Sequence, residues 1–124
     1  MPLVIFVDDS ETALASTRMV TNSMPIEVKQ YTVAQVALAE IKAGMIPDLI
    51  ITDLNMPVMN GLEFLQALRD NPSTNRTPTL MLTTETKPEL KQQGKALGLT
   101  GWIVKPFNPA QLKQAITRVL RLPA

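Results

Sequence analysis

Three acids, one hydroxyl and one lysine stand directly after short, mainly apolar segments of this sequence. The acids are Asp8 and Asp9 after residues 3–7 and Asp53 after residues 49–52, the hydroxyl is Thr83 after residues 80–82, and the lysine is Lys105 after residues 102–104. Segments of this kind are typical of buried parallel strands, whose carboxyl ends lie along one edge of a sheet. Ligands bind at that edge in open α/β sheets. We therefore expect the five side chains to converge on one site.

The chemistry expected of this site is that of a hard cation or a phosphoryl group. Three unpaired carboxylates repel one another, and this crowding raises their pKa unless a positive charge compensates. The chain has no histidine and no cysteine, so oxygen atoms would hold any metal, which favours Mg²⁺, Ca²⁺ or Mn²⁺. Asp8 and Asp9 are the candidate Mg²⁺ ligands, one of them through a water molecule. Asp53 is a candidate nucleophile toward phosphorus, and Lys105 would hold a phosphoryl oxygen as a point charge.

Each of these residues also has an ordinary structural interpretation. Asp53 could be a turn aspartate at a strand end, and Thr83 a β-branched strand residue. Asp9 or Ser10 could cap the helix that follows the first strand. A cap explains one acid and not two, and a lysine directly after a buried strand is unlike a solvated surface lysine. The combination of residues therefore favours the functional interpretation.

Strand-like segments alternate with helical patterns along the whole chain, which predicts an α/β fold with a parallel sheet covered on both faces. Strands are predicted over 3–7, 26–30, 48–52, 79–83 and 101–104, and helices over 10–22, 33–44, 61–70, 87–98 and 109–121. Four helix starts carry the residue pairs of a capping box, namely Thr32 with Gln35, Asn60 with Glu63, Thr86 with Glu89, and Asn108 with Gln111.

Composition limits the class of protein. A length of 124 residues is enough for one domain with one core, and 45% hydrophobic with 19% charged residues is ordinary for a globular protein. The formal net charge is +1 without a basic block, so nothing indicates a nucleic-acid or membrane-surface binder. No segment is apolar enough to span a bilayer, and the N-terminus lacks the charged region of a signal peptide. We expect a single domain over residues 1–124, monomeric and cytoplasmic.

The order and spacing of the polar residues resemble those of the receiver domains of two-component response regulators. The matching positions are Asp8-Asp9, Asp53 with Met56-Pro57 and Gly61 behind it, Thr83, and Lys105-Pro106. Residues 82–85 and 101–107 are most similar to the stand-alone response regulators of chemotaxis. The resemblance implies a flavodoxin-like, doubly wound sheet of five parallel strands in the order 2-1-3-4-5 with five helices. It also implies that Asp53 accepts a phosphoryl group from a sensor histidine kinase with Mg²⁺ as cofactor, and that the chain is a signalling switch, not an enzyme acting on other substrates.

The same resemblance implies roles for residues around the acids. The backbone carbonyl of Asn55 would be a further Mg²⁺ ligand, and the bond between Lys105 and Pro106 would be cis. Asn55, Thr84 and Glu85 would form the rim of the site, where Asn55 and Glu85 modulate the attack of water on the acyl phosphate. Thr83 and Trp102 would form the switch, in which the threonine moves toward the phosphoryl group and the aromatic ring follows. Tryptophan is larger than the tyrosine or phenylalanine usual there, so a partial movement is expected.

The expected output of the switch is protein binding at the fourth helix, last strand and last helix. Lys87, Lys91 and Lys95 form a stripe on the fourth helix, which is either a solvated face or a contact for an acidic partner segment. In a chemotaxis protein that partner would be a component of the flagellar motor. A receiver cut from a DNA-binding transcriptional regulator and a single-domain phosphate shuttle are the alternatives. A haloacid dehalogenase-type phosphatase is disfavoured, because Asn55 stands where its second aspartate belongs.

Overall fold

The computed structural model describes residues 1–123, in which five parallel strands form one sheet in the order β2-β1-β3-β4-β5. The doubly wound order 2-1-3-4-5 expected from the sequence is therefore confirmed. The strands are β1 Leu3–Val7, β2 Glu27–Tyr31, β3 Leu49–Thr52, β4 Thr79–Thr83 and β5 Gly101–Val104. The helices are α1 Glu11–Thr21, α2 Ala34–Lys42, α3 Gly61–Asp70, α4 Pro88–Ala96 and α5 Pro109–Leu120.

The two faces of the sheet bury separate apolar clusters, as expected of parallel strands covered on both sides. Alternate residues of the strands point to opposite faces, so Phe6 and Ile51 pack toward α1 and α5, whereas Ile5 and Ile50 pack toward α2 and α3. Every residue of β3 and β4 is buried. These central strands hold the chain rigidly up to the residues that follow them.

A third apolar cluster lies where α3 and α4 approach the sheet. Its buried members are Leu54, Leu62, Leu65 and Met81. Half-buried residues of α4, of the segment after it and of β5 cover this cluster, and they are Leu90, Leu97, Leu99 and Trp102. The core therefore extends from the polar edge of the sheet to the surface formed by α4 and β5.

Two of the four predicted capping boxes are missing altogether. α2 begins at Ala34 with Val33 as its N-cap, so Thr32 and Gln35 are not in cap positions, and the Gln35 side-chain oxygen is buried without a partner among the described residues. α4 begins at Pro88 with Lys87 as its N-cap. Proline is preorganised for the first helical position, which places the helix start after Thr86.

The other two helix starts agree wholly or in part with the prediction. Asn60 and Glu63 form a complete capping box at the start of α3. Asn108 caps α5, but its side chain accepts from the backbone N–H of Ala110, and the predicted pairing with Gln111 is absent from the described residues. The bounds of β1, β4, β5 and α3 are as predicted, and the other elements shift by one or two residues at one or both ends, including β2, which lies one residue later than predicted. Among residues 1–123, no helix combines the length and the apolar character needed to cross a membrane.

Candidate functional site

The polar residues singled out in the sequence lie together at the carboxyl edge of the sheet. Val7 of β1 pairs with Thr52 of β3, so the residues that follow them, Asp8 and Asp53, are neighbours. Thr83 of β4 pairs with Val104 of β5, which places Lys105 beside the end of β4. The register of the parallel strands therefore produces the convergence that the sequence predicts.

Asp8, Asp9 and Asp53 form a carboxylate cluster. One carboxylate oxygen from each residue lies within 4.8 Å of the other two. Asp8 is buried, Asp53 is half-buried and Asp9 is exposed. The cluster thus has a solvent-facing side at Asp9 and an enclosed side at Asp8, and its oxygen atoms are close enough to share one small cation.

Lys105 supplies the positive charge of the site. Its Nζ donates to Asp8 Oδ2 at 2.6 Å and to Asp53 Oδ2 at 3.3 Å. The Lys105 side chain is only 17% exposed, and the side chains of Asp8 and Asp53 are 8% and 13% exposed. The ion pairs are therefore largely shielded from solvent. Charges in such an environment interact more strongly than charges at an exposed surface.

The pKa values of Asp8 and Lys105 are both raised above their ordinary values. Burial raises the pKa of Asp8, and this outweighs the hydrogen bonds that Lys105 and the Ser10 amide donate to it. Burial lowers the pKa of Lys105, but the hydrogen bond and charge of Asp8, followed by those of Asp53, outweigh it and raise that pKa overall. Burial therefore makes the ionised form of Asp8 less favourable than in water, despite its contacts with Lys105 and Ser10.

Ser10 is the N-cap of α1, which leaves the two acids free for other roles. Its hydroxyl oxygen accepts from the backbone N–H of Ala13 at 3.2 Å. Asp8 instead accepts from the backbone N–H of Ser10 at 2.9 Å. The alternative in which Asp9 caps the helix is therefore wrong, and the carboxylate of Asp9 faces solvent.

The segment after β3 holds the Asp53 carboxylate in a fixed orientation. The backbone N–H of Leu54 donates to Asp53 Oδ1 at 2.6 Å, while Oδ2 faces Lys105. The amide of Gly61 donates to the carbonyl of Leu54 at 2.8 Å and brings the start of α3 against this segment. A Cβ atom at position 61 would collide with the carbonyl oxygen of Asp53. Glycine at this position is therefore a steric requirement of the site.

The Thr83 side chain lies beside the charged side chains without bonding to them. The residue is fully buried, and its Oγ1 accepts from the backbone N–H of Glu85 at 3.3 Å. Within residues 1–123 the Thr83 hydroxyl bonds neither to the three acids nor to Lys105 Nζ, whereas the Thr83 carbonyl accepts from the backbone N–H of Lys105 at 2.8 Å. The carbonyl of Glu85 accepts from the indole N–H of Trp102 at 2.9 Å. The backbone of Glu85 therefore joins Thr83 to Trp102.

The remaining predicted residues surround the opening of the site. Asn55 and Thr84 are exposed, and Glu85 is half-buried. Thr84 and Lys105 line a mainly apolar groove together with Met19 of α1 and Phe107. The peptide bond between Lys105 and Pro106 is cis, as expected.

Comparisons with known proteins identify the family of this chain. The sequence profile of the response regulator receiver domain matches residues 4–117. The chain belongs to the response regulator receiver domain family. This receiver domain also shares its fold with a crystal structure of the chemotaxis protein CheY4 of Vibrio cholerae. That structure is 45% identical, has a TM-score of 0.88, and aligns over 96% of this chain and 98% of CheY4.

Curated relatives of this receiver differ in length and in kind. The chemotaxis protein CheY-3 of Vibrio cholerae is 37% identical over 83 residues, which are 67% of this chain and 63% of CheY-3. The cyclic di-GMP phosphodiesterase response regulator RpfG of Xanthomonas campestris is 31% identical over 121 residues, 96% of this chain and 32% of RpfG. The receiver thus spans about a third of RpfG and under two thirds of CheY-3.

Gly94, which packs beside Trp102, is a residue that sequence reasoning missed. It is buried in α4, and a Cβ atom built there would lie 3.7 Å from Cζ3 of Trp102 and 3.0 Å from Cδ2 of Leu99. Glycine inside a helix costs about 1 kcal/mol relative to alanine, so its presence calls for a packing reason. The large indole ring of Trp102 against α4 supplies one.

Proposed function

We propose that this receiver is a phosphorylation switch in which Asp53 takes a phosphoryl group from a sensor histidine kinase and thereby changes protein binding at α4, β5 and α5. One observation carries the proposal. Lys105 Nζ lies within 3.3 Å of Asp53 and 2.6 Å of Asp8, and the three carboxylates share a region 4.8 Å across. Such a site offers a nucleophile, a fixed positive charge and ligands for a hard cation.

The donor set fits Mg²⁺. Receiver domains bind this ion in their acidic pocket, and carboxylate, carbonyl and water oxygens are the ligands that it prefers. In this chain the ligands would be Asp8, Asp9, Asp53 and the backbone carbonyl of Asn55. The three clustered carboxylates share a single lysine, and this excess of acidic groups is the feature of the structure that favours a cation here. When bound, Mg²⁺ would neutralise charge on the phosphoryl oxygens.

Asp53 is the phosphoacceptor in this mechanism. One of its carboxylate oxygens attacks phosphorus, the new O–P bond forms as the P–N bond of a phosphohistidine breaks, and the released imidazole nitrogen is protonated. Lys105 keeps its ammonium next to the attacking carboxylate and neutralises charge on the transferred group. Its raised pKa keeps it protonated throughout the physiological range. Phosphoryl transfer depends mainly on such positioning and charge stabilisation.

The switch runs from Thr83 through Glu85 to Trp102. The Thr83 hydroxyl oxygen accepts a hydrogen bond from the Glu85 amide. The hydroxyl hydrogen remains available as a donor, and a phosphoryl oxygen on Asp53 can accept it. A shift of Thr83 toward that oxygen would pull on the segment that also holds the Trp102 indole. The two conformations would differ in affinity for the phosphoryl group, as any population shift requires.

The surface that reads this change is formed by α4, β5 and α5. Lys87, Lys91 and Lys95 are exposed along α4, so a partner segment rich in acidic residues would fit it. The CheY proteins among the relatives favour an output in chemotaxis, with a flagellar motor component as partner. In RpfG the matching receiver is part of a longer chain, which favours the alternative of a receiver that controls an attached domain. The alternative of this kind predicted from the sequence is a DNA-binding transcriptional regulator.

The test of the phosphoacceptor is labelling with a small acyl phosphate, with and without Mg²⁺, followed by intact-mass measurement. We expect one phosphoryl group per chain only when Mg²⁺ is present, and none in Asp53→Ala. Asp70→Asn, which removes an exposed acid at the end of α3, is the matched control and should label normally. Equal labelling of Asp53→Ala would refute Asp53 as the sole acceptor.

A further inference from the structure

A cleft at the opposite edge of the sheet collects most of the arginines of this chain. The sequence has five arginines, and four of them line one cavity of about 560 Å³, namely Arg69, Arg76, Arg118 and Arg121. They come from α3, from the loop before β4 and from the end of α5. Pro78 and Thr100, which precede β4 and β5, also line it. The cleft is therefore remote from the acid cluster, which lies beyond the other ends of these strands.

Arg69 is fixed at the wall of this cleft. Its Nε donates to the carbonyl of Leu97 at 2.8 Å and its Nη1 donates to the carbonyl of Thr74 at 3.0 Å. Two longer contacts of 3.4 Å join its Nη2 to Thr79 Oγ1 and to the carbonyl of Gly98. All four acceptors are neutral, and burial lowers the pKa of the guanidinium. Arg69 thus holds a partly desolvated positive charge in place without a carboxylate beside it.

A purely structural role accounts for Arg69 but not for the other three arginines. Arg69 joins α3 to the segments before β4 and β5, which is sufficient reason for one arginine. Arg76, Arg118 and Arg121 are exposed, and their side chains form no hydrogen bond or ion pair within the described part of the chain. No aspartate or glutamate is among the described residues that line the cleft. Among residues 1–123, no carboxylate therefore compensates the positive charge of the cleft, although the whole chain has a formal net charge of only +1.

We propose that this arginine cleft binds a small anion that carries two or more phosphate groups. Guanidinium groups bind phosphate oxygens in pairs, which distinguishes them from the point charge of lysine. A phosphate group carries about −1.5 to −2 at neutral pH, so two such groups would balance four arginines. The cavity volume lies in the range of about 300–1,000 Å³ typical of small-ligand sites. Pro78, Leu97 and Val119 add an apolar wall that an attached organic group would contact.

Titration calorimetry with inorganic pyrophosphate and with a nucleoside diphosphate tests the proposal and separates the two sources of phosphate. The titrations use the intact chain with chelator, so that no metal carries the ligand to the acid cluster, and repeat on Asp53→Asn. We expect binding that Asp53→Asn leaves unchanged. Tighter binding of the nucleoside diphosphate supports a site that uses the apolar wall, and equal affinity supports a site for the phosphates alone.

Matched variants locate the binding. Arg76→Gln and Arg118→Gln each remove one exposed guanidinium from the cleft and should weaken pyrophosphate binding about tenfold, the effect typical of one charge-assisted hydrogen bond. Arg18→Gln removes the fifth arginine, which lies on α1 outside the cleft, and should change the affinity by less than about twofold because screening weakens distant charges. Absence of measurable pyrophosphate binding, or equal loss in Arg18→Gln, would overturn the proposal.

Discussion

The indole nitrogen of Trp102 donates a 2.9 Å hydrogen bond to the backbone carbonyl of Glu85. The amide of the same Glu85 donates to the hydroxyl of Thr83, so one residue's backbone connects the buried end of β4 to the aromatic ring on β5. The ring is half-buried against the cluster formed by Leu54, Leu62, Leu65 and Met81. Trp102 is thus already held by a polar and an apolar contact in the unphosphorylated chain, which limits how far phosphorylation can move it.

The first prediction is a small change of Trp102 on phosphorylation that depends on Thr83. Trp102 is the only tryptophan, so quenching of its fluorescence by neutral acrylamide reports one environment. Phosphorylation should alter the quenching constant modestly, because the ring keeps its bond to Glu85 or exchanges it over a short distance. Thr83→Ala should abolish the change while Asp53 still takes up phosphate. The Mg²⁺ effect alone is subtracted, and unchanged quenching at full phosphorylation would exclude Trp102 from the switch.

The second prediction concerns the space that Gly94 leaves for the indole. Gly94→Val would place methyl groups where Leu99 and Trp102 now pack, and overpacking of this kind costs about 1–3 kcal/mol. We expect the ring to move outward, with increased acrylamide quenching in the unphosphorylated protein and weaker coupling to phosphorylation. Ala96→Val is the control, because it adds the same side chain at an exposed position of α4. Equal effects of both variants would mean that a branched side chain anywhere on α4, not contact with Trp102, is responsible.

Much of the fold and of the site follows from local patterns in the sequence. The apolar segments set the strands, and the parallel register brings Asp8, Asp53 and Lys105 to one edge. The pairing of Trp102 with Gly94 could not be predicted, because contact between a helix and a strand depends on their relative placement. The cap of α4 was mispredicted at Thr86, since the preference of Pro88 for the first helical position prevailed over the capping-box pattern.

The third prediction is that removal of the Asp8 charge stabilises the protein when no metal is present. Burial raises the pKa of Asp8 above its ordinary 3.8. At pH below 3.8 both folded and unfolded Asp8 are protonated, so the charge has no effect. As pH rises through that value the unfolded chain ionises first, and the wild type loses stability until the raised folded pKa is passed. Asp8→Asn should therefore melt at a higher temperature than wild type at neutral pH in chelator, with a difference that vanishes at low pH.

The melting temperatures of wild type and Asp8→Asn should respond differently to Mg²⁺. Mg²⁺ should raise the melting temperature of the wild type, because a ligand that binds only the folded state stabilises it. It should have a smaller effect on Asp8→Asn, which lacks one of the proposed ligands. Asp70→Asn, outside the site, should behave as wild type in both conditions. A lower melting temperature of Asp8→Asn in chelator would mean that the ion pair with Lys105 contributes more than the buried charge costs.

The last prediction concerns strain in the segment between Asp53 and α3. Val58 has φ of +71° and is 88% exposed. A β-branched residue in the left-handed region is disfavoured, and such strain costs on the order of 1–3 kcal/mol. Asparagine tolerates this conformation and glycine adopts it freely, so Val58→Asn and Val58→Gly should each raise the free energy of unfolding. We expect about 1 kcal/mol for asparagine and less for glycine, whose unfolded state has more conformational freedom to lose. Because Val58 buries little surface, no packing is lost in exchange.

Urea unfolding monitored through Trp102 measures the difference, and Val36→Asn, at an exposed position of α2, controls for the loss of an exposed apolar side chain. Failure of both Val58 variants to stabilise the chain would show that the left-handed conformation of Val58 stores no strain in solution.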